Sequence, residues 1–149
     1  MSETNSLESM DFILANICHL HHSRAHQLFE SFGLYRGQPP VLKALWEQDG
    51  LNQTELAERM HNSAATMTKM LQRMEKAGFI RRVVDANDQR VMRVYLTEAG
   101  RAVQNQLEMT FARMEDETFC NFSNEERDQL REYLLRVREN LMQATRETS

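Results

Sequence analysis

Glycine and proline are scarce in this chain, at five and two residues among 149. Few tight turns are therefore available, and the chain reads as mainly long helices. Long apolar runs are missing too. Stretches such as Phe12-Ile13-Leu14-Ala15 stop after a few residues, far short of the roughly 20 that span a bilayer, so no membrane partner is expected. The first residues carry Glu3, Glu8 and Asp11 without a basic cluster, unlike a secretory leader, which makes the cytoplasm the expected location. Two cysteines, Cys18 and Cys120, are too few for a disulfide framework. An excess of positive charge is lacking as well. The net charge is −4, which by itself does not suggest a nucleic-acid partner.

What is present is a globular composition, 41% hydrophobic and 27% charged, at a length that suits one compact domain or two small intertwined ones. The charge is unevenly spread. Between Gly50 and Leu96 stand eight Arg and Lys (Arg59, Lys69, Arg73, Lys76, Arg81, Arg82, Arg90, Arg93) against five Asp and Glu. That stretch is basic within an acidic whole. A local basic patch can meet phosphates while the acidic remainder keeps the chain in solution.

Periodicity gives the order of elements. Leu7 to Ser31 reads as one long helix, with apolar residues at Leu7, Met10, Leu14, Ile17 and Leu28 and a stop at Gly33. Pro39 and Pro40 open a short helix through Val41, Leu42, Leu45 and Trp46. Asn52 with Glu55 forms a near capping box for a helix burying Leu56, Ala57 and Met60. His61 and Asn62 make a turn. Ser63 then caps a helix to about Ala77, stopped by Gly78, with Met67, Met70, Leu71 and Met74 on its buried face.

The period next switches to extended over 79–84 and 91–96, around the polar tip Asp85-Ala86-Asn87-Asp88-Gln89-Arg90, as in a β-hairpin. Thr97 caps a long helical region striped by Val103, Leu107, Phe111 and Met114. Ser123 with Glu126 is a second capping box, opening a last helix with Leu130, Tyr133, Leu134, Val137 and Leu141.

Helix, helix, tight turn, helix, hairpin is the order of a winged helix-turn-helix. Its second helix can lie in a major groove and its hairpin can reach the neighbouring minor groove. The groove helix needs short polar residues near its start and cations where phosphates pass. Ser63, Thr66, Thr68, Lys69 and Arg73 meet that need.

From Leu34 to Gly100 the residues resemble the DNA-binding part of the MarR (multiple antibiotic resistance regulator) family. The matching runs are Gln53-x-Glu55-Leu56-Ala57-x-x-Met60, Thr66-Met67-Thr68-Lys69-Met70-Leu71, Glu75-x-x-Gly78-Phe79-Ile80, Asp85-x-x-Asp88-x-Arg90 and Leu96-Thr97-x-x-Gly100. The resemblance implies a mainly α fold in which residues 35–96 form the winged helix-turn-helix. The helices of 1–34 and 97–149 would form an intertwined dimerisation domain. It implies a homodimer binding double-stranded DNA at a pseudo-palindromic operator, a transcription regulator and repressor, with Arg90 as the wing arginine and Asp88 as the acid that orients it.

It also implies release by a small aromatic or anionic effector, with His22, His26 and Trp46 as lining residues. No cofactor and no enzyme activity are implied. Asn62 and Ala64 depart from the family's usual aliphatic and polar residues there.

Three other readings stay open on sequence. On the first helix Cys18 and His22 lie one turn apart, as do His22 and His26, and His19, His22 and His26 are a possible metal-ligand set, so a regulator of the same fold could sense redox state or a metal. A winged helix can also serve protein contact alone. Cys18 with His22 as nucleophile and base is the enzyme reading, but both sit mid-helix and nothing supplies an oxyanion hole.

Overall fold

A computed structural model describes residues 6–35 and 37–148. The described chain contains seven α-helices and one two-stranded antiparallel sheet, and it divides into two compact units, Met1–Met114 and Glu115–Ser149.

In the first unit, α1 (Met10–Phe29) begins three residues later than its apolar spacing suggests. Leu7 lies in a short 3-10 turn, and the Ser9 side chain caps the helix by accepting from the Phe12 N–H. A side-chain cap outweighs one more apolar residue at a helix start. Gly33, at φ 74°, closes the turn that follows. α2 (Gln38–Glu47) carries its prolines in the first turn and buries Val41, Leu42 and Leu45.

α3 (Gln53–Arg59) is opened by the complete Asn52–Glu55 capping box. The chain then reverses through His61, held at φ 54°, while the Asn62 N–H returns to the Ala57 carbonyl at 2.9 Å. Ser63 caps α4 (Ala64–Lys76). Met67, Leu71 and Met74 of α4 are fully buried with Leu34, Leu42, Leu45, Leu51 and Leu56, while Met60 and Met70 pack at the edge of that core. The four methionines are thus core fillers, a use to which their flexible thioethers are suited.

β1 (Ile80–Val84) pairs with β2 (Met92–Leu96), Ile80 opposite Leu96 and Val84 opposite Met92. The inner face buries Ile80, Val94 and Leu96. The sheet has an unforeseen addition: the Gly50 N–H and Val94 N–H bond to the Val94 and Leu51 carbonyls, and Asn52 bridges to Arg93. These few residues tie the start of α3 to the outer strand, yet they are too few to show a strand period in sequence.

α5 (Glu98–Ala102) is capped by Thr97, and a single non-helical residue, Val103, separates it from α6 (Gln104–Thr118). The apolar stripe expected there holds, with Leu107 and Met114 buried and Val103 and Phe111 packed on the core. Phe111 packs against Phe29 with ring centroids 5.0 Å apart and planes tilted by 52°, and the Lys43 ammonium lies 5.0 Å from the Phe111 ring centre.

In the second unit, Asn121 turns the chain at φ 69°. The Ser123–Glu126 capping box opens α7 (Asn124–Glu147) as expected. The Glu126 carboxyl is held below its ordinary range, chiefly by the Ser123 N–H it accepts. α7 buries no residue; Tyr133, Leu134, Leu135 and Leu141 stand exposed. Among the described residues, no helix is long and apolar enough to cross a membrane.

Candidate nucleic-acid interface

The first turn of α4 is a small polar cluster fixed by its own cap. The Ser63 hydroxyl accepts the Thr66 N–H at 3.1 Å and lies 2.9 Å from the Thr66 hydroxyl. No acidic residue stands in that turn, so its free N–H groups and positive helix end face outward unopposed. Ser63, Ala64, Thr66, Lys69 and Arg73 are exposed and Thr68 is half-buried. α4 and its cap thus present Ser63, Thr66, Lys69 and Arg73 to solvent and leave Thr68 half-buried, while Met67, Leu71 and Met74 turn into the core.

At the wing tip, Arg90 and Asp88 form a two-point pair: Nε to Oδ1 at 3.1 Å and Nη2 to Oδ2 at 3.3 Å. The Arg90 N–H also reaches Oδ1 at 3.0 Å. This arrangement fixes the arginine's root and plane. Its side chain is still 91% exposed. A guanidinium held on one edge and open on the other is presented rather than used up.

Two other basic residues of the patch are used up. Arg93 donates from Nε to Asp85 at 2.5 Å and from Nη1 to the Gly50 carbonyl at 2.9 Å. That fastens the wing to the segment before α3. Arg82 donates to Glu75 through its backbone N–H (2.7 Å), Nη2 (3.2 Å) and Nε (3.4 Å), and from Nη1 to Gln53 at 3.3 Å. Arg81 stays exposed on the other face of the strand, stacked on Tyr95. Composition counted all of these equally as phosphate partners. The fold spends Arg82 and Arg93 on holding the wing in place.

These contacts shift the carboxyls that make them. The Glu75 carboxyl is held below its ordinary value, first by the Arg82 N–H and then by its guanidinium. Asp85 is lowered by the Asn87 N–H and then by Arg93, whose own pKa is raised in return. Asp88 is lowered by the Arg90 side chain and N–H. A carboxyl with a depressed folded pKa adds stability that is complete above its unfolded pKa, near 4, and is lost as pH falls through the folded value. The winged unit should therefore lose thermal stability progressively below about pH 4. Asp85→Asn should flatten that acid slope in a melting series, and an unchanged slope would show that the Asp85 contacts contribute nothing.

The proposed effector residues have separate surroundings. His26 pairs with Glu30 at 3.1 Å and lies beside the Tyr35 ring. His22 is exposed. The Trp46 indole N–H donates to the Gly100 carbonyl at 3.0 Å. Cys18 and Cys120 are exposed free thiols. Among the described residues no three His, Cys, Asp or Glu side chains gather to hold a metal ion.

Three junction features escaped the sequence reading. The Asp49 carboxylate accepts the Gly50 and Leu96 N–H groups and pairs with Arg101 at 2.9 Å. The second is the chain Glu75–Arg82–Gln53–Thr68. The third is the seat of Gly100 against the Phe79 carbonyl. Gln53, Thr68, Glu75, Phe79, Leu96 and Gly100 stand in the family runs, whereas Asp49, Arg82 and Arg101 carried no signal.

Comparison with known proteins agrees with this geometry. The MarR family profile matches residues 34–92. The transcriptional regulator TtmR of Methylorubrum extorquens is 35% identical over 46% of this chain and 35% of its own length. The HTH-type transcriptional regulator YybA of Bacillus subtilis is 27% identical over 76% of this chain and 75% of its own. The chain thus spans about a third of the first relative and three quarters of the second. The S. aureus MepR structure, solved as a DNA complex, is 26% identical with a TM-score of 0.81, covering 92% of this chain and 99% of that one. By motif, element order and winged hairpin together, the chain is similar to the MarR family of winged-helix regulators, whose profile covers its residues 34–92.

Proposed function

We propose that two copies of this chain bind duplex DNA at a pseudo-palindromic operator, α4 of each lying in a major groove and each wing entering the adjacent minor groove. The observation that carries this reading is the exposed polar face of α4, Ser63 to Arg73, accompanied by an Arg90 side chain that Asp88 orients without covering. The S. aureus relative of the same fold was solved on DNA. In this reading Ser63, Thr66 and Thr68 reach base edges, Lys69 and Arg73 meet phosphates, and Arg90 enters the narrow, electronegative minor groove.

Residues 35–96 would be the DNA-binding part and the helices of 1–34 and 97–149 the dimer contact. Exposed apolar side chains favour that division: Met10, Ile13, Ile17 and Leu20 on α1, and Leu134, Leu135 and Leu141 on α7. A monomer leaving them in water would carry an unusually large apolar surface. Two-fold symmetry then sets the half-sites about one helical turn apart.

Regulation in this reading is repression. A small aromatic or anionic effector, bordered by His22, His26 and Trp46, favours a dimer whose α4 helices are misspaced for adjacent grooves. A protein-contact module would not need the cationic wing tip.

The test is a salt titration of the purified protein on the DNA upstream of its own gene, with sedimentation in parallel. A dimer with a clear preference over random duplex, weakened steeply by salt, is expected. Equal affinity for random duplex would favour protein contact. In the same titration Lys69→Ala should reduce the slope of log K against log salt by about one. An unchanged slope would remove Lys69 from the phosphate contacts.

A further inference from the structure

The relay behind α4 dictates the chemistry of one recognition side chain. Arg82 offers only donors, and Glu75 grips it through three bonds. Its Nη1 lies 3.3 Å from the Gln53 side-chain oxygen. The amide of Gln53 is thereby oriented, oxygen toward Arg82 and NH2 toward Thr68. Gln53 Nε2 donates to Thr68 Oγ1 at 3.2 Å. Thr68 Oγ1 lies 2.9 Å from the Ala64 carbonyl, which can only accept, so the Thr68 proton goes there. A hydroxyl has one proton and two lone pairs. Thr68 has committed the proton and one lone pair, and keeps one lone pair and a methyl group for anything that approaches. Thr66 differs: its partner is the Ser63 hydroxyl, and two hydroxyls can exchange roles.

Resting on the DNA-binding reading above, we propose that Thr68 meets the operator as a hydrogen-bond acceptor only, and so selects a base with an amino group in the major groove, adenine or cytosine. Gln53, on the supporting helix, is the positioning residue that imposes this polarity. The amino groups of adenine and cytosine donate there, while the keto oxygens of guanine and thymine accept. To serve a keto oxygen, Thr68 would have to withdraw its proton from Ala64. Losing that bond corresponds to about a fivefold preference.

The experiment begins with selection from a random duplex library by the wild type, Thr68→Val and Gln53→Leu. The base pair whose preference differs between wild type and Thr68→Val is the one Thr68 faces. Binding is then measured on duplexes lacking the amino group at that pair, and on duplexes lacking the keto oxygen of its partner. Amino deletion should cost the wild type about fivefold and Thr68→Val nothing, with a smaller loss in Gln53→Leu. Keto deletion should affect all three alike. An amino deletion that costs wild type and Thr68→Val equally overturns the proposal, as does a keto deletion that Thr68→Val alone ignores. A full fivefold loss in Gln53→Leu removes Gln53 from the role. No changed base pair between wild type and Thr68→Val also overturns it. If the wild type enriches no sequence, the DNA-binding reading itself has failed, a result distinct from all of these. Melting curves of both variants separate these effects from loss of fold.

Discussion

Replacing Arg90 by alanine is expected to weaken specific DNA binding by roughly ten- to a hundredfold, while leaving the melting temperature nearly unchanged. The side chain is 91% exposed and among the described residues its side-chain partner is Asp88, also at the wing tip. An exposed ion pair of this kind adds little to stability, so the fold should not notice its loss. Binding should, because Asp88 holds the guanidinium in one plane and a minor-groove arginine draws on the enhanced negative potential of A·T-rich DNA. The loss should be greatest on A·T-rich flanks. Asp88→Asn should give a smaller decrease, since Arg90 would keep its charge but lose its orientation. An Arg90→Ala protein that binds as tightly as wild type would remove the wing from the interface.

Replacing Gly100 by alanine should be the most damaging single-methyl change to the winged unit. A Cβ at that position would stand 2.2 Å from the Phe79 carbonyl oxygen and 3.2 Å from the Leu96 side chain. That carbonyl also accepts the Thr97 N–H at 3.1 Å, and the Gly100 carbonyl accepts the Trp46 indole. The strand–helix junction therefore cannot open without breaking bonds on both sides. Overpacking against backbone costs about 3 kcal/mol or more, a drop of roughly 6–12 °C for a chain of this size. Gly33 supplies the comparison. Its Cβ would meet nothing within 4 Å, but its φ of +74° would strain an alanine, at about 1 kcal/mol. Gly100→Ala should melt well below Gly33→Ala; the reverse order would mean that the junction relaxes freely.

Gly100 also illustrates what the sequence could reveal. The run Leu96-Thr97-x-x-Gly100 marked the family, and the local half of its meaning was legible: Thr97 caps α5. The Asn52, Ser63 and Ser123 caps were readable for the same reason, since a cap is settled within four residues. The hairpin was legible from its change of period. What lay hidden was non-local. Nothing near Gly100 in sequence announces the Phe79 carbonyl, and nothing near Arg82 or Arg93 announces that Glu75 and Asp85 occupy them. Counting cations over 50–96 thus overstated the number free for phosphate. Gln53 is legible as a motif residue of the supporting helix, but its bond to Thr68 crosses from α3 to α4 and emerges only when the two helices pack. His22, His26 and Trp46 entered by family analogy alone, and the fold gives each different surroundings.

The central claim is that this helix and wing read duplex DNA as a two-fold pair, and selection from a random duplex library tests it most directly. The account predicts enrichment of an inverted repeat whose half-sites lie about one helical turn apart, bound by two protomers and lost on Arg90→Ala. Recovery of no preferred sequence, or of a single asymmetric site bound by one protomer, would contradict it.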